Sequence, residues 1–303
     1  PSLPAMADYF SASLPMVQMG LTTSMIGLAL GQIFFGPLSD KYGRRPLLLV
    51  SMLLFIVSTL FCLFAPDIYS FVTLRLIQGI AGAGGIVISR SVAIDKFSGK
   101  ELAKMLAVIG AINGVAPVAA PVIGGLLTGS VGWQGIFMIL LFIGILLGIG
   151  CIRFKESLPA EKRSKTGVWA TFRSFGIIVH NRRYMLYVFQ LAFAQGILFA
   201  YIASSPFIIQ QHYGFSPFAF SICFAVNAVA IGVAAALSVK FRRTENGTLT
   251  GCVGMLVFAV LQMAALYSGC GFWTYELLMF ALLFMMGLTF TASTTLAMDC
   301  ERR

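Results

Sequence analysis

The sequence predicts an all-α protein that crosses a membrane many times, and three observations carry that prediction. Hydrophobic residues make up 58% of the chain and the mean hydropathy is +0.90, against about 45–50% apolar residues in soluble domains. Apolar stretches of roughly 18–25 residues recur, the length a helix needs to cross a hydrocarbon core of about 30 Å. Every one of the 21 Lys and Arg residues except Arg75 falls on one side of those stretches, the asymmetry that marks cytoplasmic loops. Such a chain satisfies its backbone within each helix and packs helices side by side in lipid. The net charge of +10 is thereby explained by topology and calls for no nucleic acid.

Nine spans are expected, at 17–38, 47–65, 68–91, 103–128, 133–152, 184–208, 217–239, 248–268 and 272–298. Basic residues collect at Lys41, Arg44 and Arg45, at Arg90 to Lys104, through 153–183, at Lys240 to Arg243, and at Arg302 and Arg303. With those loops inside, an odd number of spans puts Pro1 outside, and "PSLPAMADYF" reads as an outer loop whose preceding helix is missing. The chain is expected to be a piece of a longer one. "LSDKYGRR" from Leu38 has an echo in "LSVKFRRT" from Leu237, each following one span and preceding another. Parallel repeats of that kind divide the chain into two halves, 1–152 and 184–303. The basic stretch 153–183 is then the cytoplasmic connection, either an amphipathic helix on the anionic inner leaflet or an irregular linker.

Three stretches carry chemistry. In "GPLSDKYGRRP" (36–46), Lys41, Arg44 and Arg45 anchor topology, whereas Asp40 adds nothing to a positive-inside anchor and so asks for a mechanism. Gly36 and Pro37 are expected to end the preceding helix, and Gly43 to allow a tight approach. In "FVTLRLIQGIAGAGGIVISR", Arg75 is a charge inside a span, a functional-site hypothesis by default. Snorkelling to the outer headgroups is the plainer alternative. Gln78, Gly79, Gly82, Gly85 and Ser89 continue from Arg75 along one helical face, which leaves room for a guanidinium to point inward. In "GAINGVAPVAAPVIGGLL", Gly110, Asn113, Gly114, Pro117, Pro121, Gly124 and Gly125 share a face. The two prolines delete backbone hydrogen bonds, as suits an interface that bends or seals, with a static packing face as the alternative.

Gln190, Gln195, Tyr201 and Asn227, with Asn113, are the candidate substrate-lining residues, although single Gln or Asn residues in spans more often join helices. Glu276, near the outer end of its span, reads as interfacial, with a cation or proton site as the alternative. Cys62, Cys151, Cys223, Cys252, Cys270 and Cys300 show no CxxC spacing and read as small apolar residues. The sequon at Asn246 falls on the inner side. Neither HExxH nor GxSxG occurs, and His180 and His212 lie in loops on opposite sides, so nothing supports an enzyme or a metal centre.

Together and in order, the three stretches resemble the motifs of the major facilitator superfamily: its helix 2–3 loop, its helix-4 arginine motif, and the helix-5 motif of its drug:proton antiporters. "PSLPAMADYF" and "GWQGIFMILL" are similar to the bicyclomycin-resistance-type branch of bacterial multidrug exporters. The resemblance implies a fold of two six-helix halves, of which helices 2–10 are present here. It implies a monomeric inner-membrane exporter of amphipathic drug-like molecules, with the proton as coupling ion and no cofactor. It also assigns roles. Arg75 and Gln78 would serve proton coupling, and the helix-5 glycines and prolines would form a hinge and seal. Gly36, Asp40, Gly43, Arg44 and Arg45 would form a conformational latch with Asp95 as a partner of Arg44, Asp40 reaching the N-terminal end of helix 11. The principal proton-carrying acid would lie upstream of Pro1. A facilitator-fold importer of a sugar or metabolite, or a truncated product without transport, are the other readings.

Overall fold

In a computed structural model the chain folds as helices alone among the described residues, which are 2–164, 176, 179–238 and 244–301. Within those helices the side chains at 103, 107, 110, 111, 113–115, 117, 118, 128, 244, 291, 292, 294, 295 and 297–301 lie outside the described set. In order these are α1 (Leu3–Tyr9), α2 (Leu14–Tyr42), α3 (Arg44–Leu63), α4 (Ile68–Lys96), α5 (Gly99–Arg153), α6 (Arg182–Phe207), α7 (Pro217–Ser238), α8 (Thr244–Tyr267) and α9 (Phe272–Glu301). Among the described residues, eight stretches are long and apolar enough to cross a membrane. They coincide with eight of the nine expected spans. The ninth, 103–128, is the first part of α5, several of whose side chains lie outside the described residues.

Two local expectations are corrected. The opening segment is not simply a loop: Leu3–Tyr9 forms α1, with a proline in its first turn, where the missing N–H costs nothing. Gly36 and Pro37 do not end their helix, because α2 continues through both to Tyr42. The helix stops at Gly43, whose φ of +102° is a conformation that disfavours any side chain. One long helix, α5, is broken at Gly132, where φ is +66°, so the expected spans on either side are separated by a backbone kink rather than a loop.

Two compact units result. The first comprises residues 2–117 and 126–173, the second 118–125 and 174–303. In the first unit α2 packs on α4 so closely that a Cβ at Gly27 would lie 2.2 Å from the Leu76 carbonyl oxygen, and one at Gly79 would lie 2.0 Å from that of Ser24. The small-residue face expected along α4 therefore divides. Gly79 sits in the helix contact, whereas a Cβ at Gly82 meets only Leu28 at 3.9 Å and one at Gly85 meets nothing within 4 Å. Gly84, off that face, packs on Ser51 of α3 instead. Close backbone approach is how helices associate where lipid removes the hydrophobic driving force. Gly27→Ala should accordingly destabilise the protein by about 1–3 kcal/mol through overpacking, while Gly82→Ala should leave thermal stability in detergent unchanged or slightly higher. Equal melting temperatures for the two variants would contradict this packing.

An aromatic cluster closes one end of the first unit. Phe10, Phe71, Trp133 and Phe137 bring α1, α4 and α5 together, with Phe71 and Phe137 ring centroids 5.6 Å apart. In the second unit, Tyr275, Leu283 and Met286 of α9 pack with Phe220 and Phe224 of α7 and Tyr201 of α6. Close approach recurs there: a Cβ at Gly287 of α9 would lie 2.5 Å from the Ile231 carbonyl oxygen of α7.

Candidate functional site: three buried polar clusters

The first cluster surrounds Arg75. Its Nη1 donates to Gln78 Oε1 one helical turn on, Nη2 donates to Ser24 Oγ at 3.1 Å, and Nε donates to the Gly20 carbonyl at 3.3 Å. Gln78 in turn donates through Nε2 to Thr59 Oγ1 at 2.6 Å, so one chain of hydrogen bonds ties α2, α3 and α4. The guanidinium also lies 5.7 Å from the centroid of the Phe137 ring, within cation–π range. Arg75 thus points into the unit and does not snorkel to an interface. Among the described residues no carboxylate pairs with it. The positive charge is held by neutral oxygens alone, an arrangement in which an added proton or anion is strongly felt.

The second cluster is built around Arg44, where α2 gives way to α3. Its Nη1 donates to Asp40 Oδ1 at 2.5 Å and to Ser39 Oγ at 2.7 Å, and its Nε donates to Asp95 Oδ2 at 2.9 Å. Arg44 is therefore buried, at 6% exposure, and is the hub of the cluster as well as part of the basic anchor. The structure brings together Asp40, Arg44 and Asp95. Asp40 itself is half exposed, and among the described residues its ion-pair partner is Arg44.

Glu156 is the member of this cluster that the sequence reading missed. Its carboxylate accepts from the backbone N–H groups of Arg44 at 2.9 Å and Arg45 at 3.1 Å, which open α3, and from those of Ser157 and Leu158. An anion at a helix N-terminus meets unpaired N–H groups and the positive end of the helix dipole. Burial works to raise the Glu156 carboxyl, but the N–H groups of Leu158, Arg44 and Arg45 and the nearby charge of Arg163 outweigh it and hold the group below the usual carboxylate range. A side chain at Gly43 would collide with this carboxylate, its Cβ lying 2.5 Å from Oε2. Arg45 is drawn to the same place, donating to the Ile152 carbonyl at 3.0 Å near the end of α5. Ser157 Oγ donates to Asp95 Oδ2 at 3.0 Å, and Ser164 N–H donates to the Asp40 carbonyl at 2.9 Å. Residues 156–164 of the basic stretch are therefore docked on the loop motif. A Glu in a basic segment gives no sequence signal of that contact.

The third cluster lies in the second unit. Asn227 Nδ2 donates to Tyr201 Oη at 3.0 Å and to Glu276 Oε1 at 2.8 Å, joining α6, α7 and α9. Glu276, read as interfacial, is instead tied to the buried Asn227. Tyr201 and Asn227 are brought together, whereas Gln190 and Gln195 share α6 with Tyr201 and their Oε1 atoms have no hydrogen-bond partner among the described residues. In the helix-5 stretch, Gly110, Asn113, Gly114 and Pro117 are helical, but their side-chain surroundings lie outside the described set. Pro121 and Gly125 belong to the second unit and meet α7: Ser221 Oγ donates to the Pro121 carbonyl at 2.9 Å, and a Cβ at Gly125 would lie 1.6 Å from Ser221 Oγ. Gly124 lies beside them in the same helix.

Hydrophobic helices carrying buried charge, with polar chains running between helices, define a multi-pass membrane transport protein rather than an enzyme. The Major Facilitator Superfamily pattern matches residues 1–300, and the chain belongs to that family. It is 37% identical, over 99% of its length and 76% of the relative's, to a protein of Bacillus subtilis named uncharacterized MFS-type transporter YdgK. It is 29% identical to a bicyclomycin resistance protein homolog of Haemophilus influenzae, covering 80% of this chain and 61% of that one. With a chloramphenicol resistance protein of Pseudomonas aeruginosa it shares 26% identity over 90% of this chain and 66% of the other. Among solved structures, a bacterial homolog of the human lysosomal transporter Spinster matches with a TM-score of 0.73 at 18% identity, over 98% of this chain and 72% of that one. The Escherichia coli xylose transporter XylE matches with a TM-score of 0.69 at 16% identity, over 95% and 77%; these likenesses concern the fold.

Proposed function

We propose that the chain belongs to a proton-coupled exporter of amphipathic drug-like molecules that works by alternating access, with the proton as coupling ion and no resident cofactor. The observation that carries this reading is Arg75, half-buried between helices, whose hydrogen-bond partners among the described residues are neutral oxygens. A cation so held responds to protonation of any acid that approaches it, and intramembrane ionisable groups mark ion and proton pathways. The drug-resistance names of the two relatives at 26–29% identity support the substrate class. In this reading Arg75 and Gln78 couple proton movement to conformation, and Asp40, Arg44, Arg45, Asp95 and Gly43 form an inner latch. Pro121, Gly124 and Gly125 serve as the described part of a hinge. Substrate meets polar side chains of the second unit, Gln190 and Gln195 among them, near the membrane midplane.

Inverted membrane vesicles carrying the protein test this directly. A pH gradient, acid inside, should drive uptake of a lipophilic fluorescent probe, and a protonophore should abolish it. Gradient-independent movement, or transport of a sugar in preference to the probe, would overturn the reading in favour of a facilitator-fold importer.

A further inference from the structure

The bonds that join Tyr201, Asn227 and Glu276 leave unpaired acceptors beside them, and the hydroxyl of the neighbouring Tyr275 is unpaired among the described residues too. Both N–H bonds of Asn227 Nδ2 are engaged, one with Tyr201 Oη and one with Glu276 Oε1. Two acceptors beside them have no partner among the described residues: Asn227 Oδ1 and Glu276 Oε2. Asn227 is only 1% exposed and Tyr201 3%, so both sit where a buried polar atom is normally paired. No Lys, Arg or His forms an ion pair with Glu276 among the described residues. The titratable groups that do face it are Tyr201 from α6, Cys223 from α7 and Tyr275 beside it on α9. None of these brings a positive charge.

We propose that Glu276 is a proton-binding carboxyl of the second unit, and that its protonated Oε2–H donates to Asn227 Oδ1. With the existing bond from Nδ2 to Oε1, this closes a paired acid–amide ring. One proton enters on Oε2 and no other covalent bond changes; the cluster passes from one negative charge to none, and both orphan acceptors are satisfied by the same hydrogen. On release, the proton leaves a carboxylate with no cation in a membrane span, which is costly, and Asn227 Oδ1 loses its donor. The pairing strength between α7 and α9 thereby depends on the proton. This site adds to the proton-coupling reading and rests on it only for the use to which the proton is put.

Infrared difference spectroscopy of the reconstituted protein across a pH titration tests the assignment without any transport. The wild type should show a protonated-carboxyl C=O band that disappears as pH rises. Glu276→Gln, which keeps the amide-like pairing, should lack that band completely. Asn227→Ala should keep it at a shifted frequency, because the acid has lost its amide partner. A band unchanged in Glu276→Gln, or unshifted in Asn227→Ala, would overturn the proposal. So would loss of the wild-type band on adding a long-chain alkylammonium at fixed pH, which would make the carboxyl a cation subsite instead. Because vesicle transport and these spectra are separate readouts, failure of this site and failure of the export reading are distinguishable.

Discussion

Replacing Arg75 with alanine is expected to abolish pH-gradient-driven efflux, to the level of vesicles without the protein, while leaving the amount of protein inserted in the membrane near normal. The guanidinium spans Gln78, Ser24 and the Gly20 carbonyl with three different nitrogens. Alanine removes the only charge in this chain of hydrogen bonds and leaves Gln78 Oε1 without its donor. An unpaired buried acceptor costs about 1–3 kcal/mol, less than a protein of ordinary stability needs to unfold. Lysine keeps the charge but concentrates it at one point on a flexible stem, so Arg75→Lys should retain partial efflux. Probe uptake into inverted vesicles, normalised to protein measured by immunoblot, gives both numbers. Full activity in Arg75→Ala would reduce Arg75 to a packing residue.

Arg44→Ala should be the most destabilising single change in the Arg44 cluster. Arg44 joins the ends of α2, α3 and α4 through Asp40, Ser39 and Asp95, and the Arg44 and Asp95 side chains are 7% and 12% exposed. Removing one partner of a buried pair costs about 3–5 kcal/mol, because the other charge remains buried and uncompensated. Asp95→Asn should cost less, since Ser157 Oγ and Arg44 can still find an oxygen at that position. The double variant should be less destabilised than the sum of the two single changes, the signature of direct coupling. Thermal unfolding in detergent for the four proteins measures this cycle, and strict additivity would contradict the buried pair. In its proposed role as a latch, the cluster also predicts altered efflux in Asp95→Asn at unchanged protein level.

Much of this architecture is legible in the residues because lipid is a demanding solvent. Backbone groups cannot be left unpaired in it, so apolar length reports helices almost directly, and eight of the nine expected spans stand among the described residues. Arg75 announces itself for the same reason: a charge costs too much there to be incidental. Helix ends are harder to read. Pro37 stays inside α2 because a proline removes one bond, which neighbouring groups in a bundle can replace, and the true stop is the positive φ at Gly43.

Glu156 and Glu276 mark the limit of sequence reading. One is an ordinary acid in a basic segment and the other an acid near a span end, and neither spacing nor composition distinguishes them from solvated residues. Their roles come from partners 111 and 49 positions away. The loop motif shows the same division. The sequence by itself placed the Lys41–Arg45 region among the basic loops expected on the cytoplasmic side, because charge asymmetry is a property of the one-dimensional chain. Only the tertiary structure decided that Arg44 leaves solvent to pair with Asp40 and Asp95 while Glu156 caps the helix it opens. Burial and hydrogen-bond geometry depend on where distant segments meet in space.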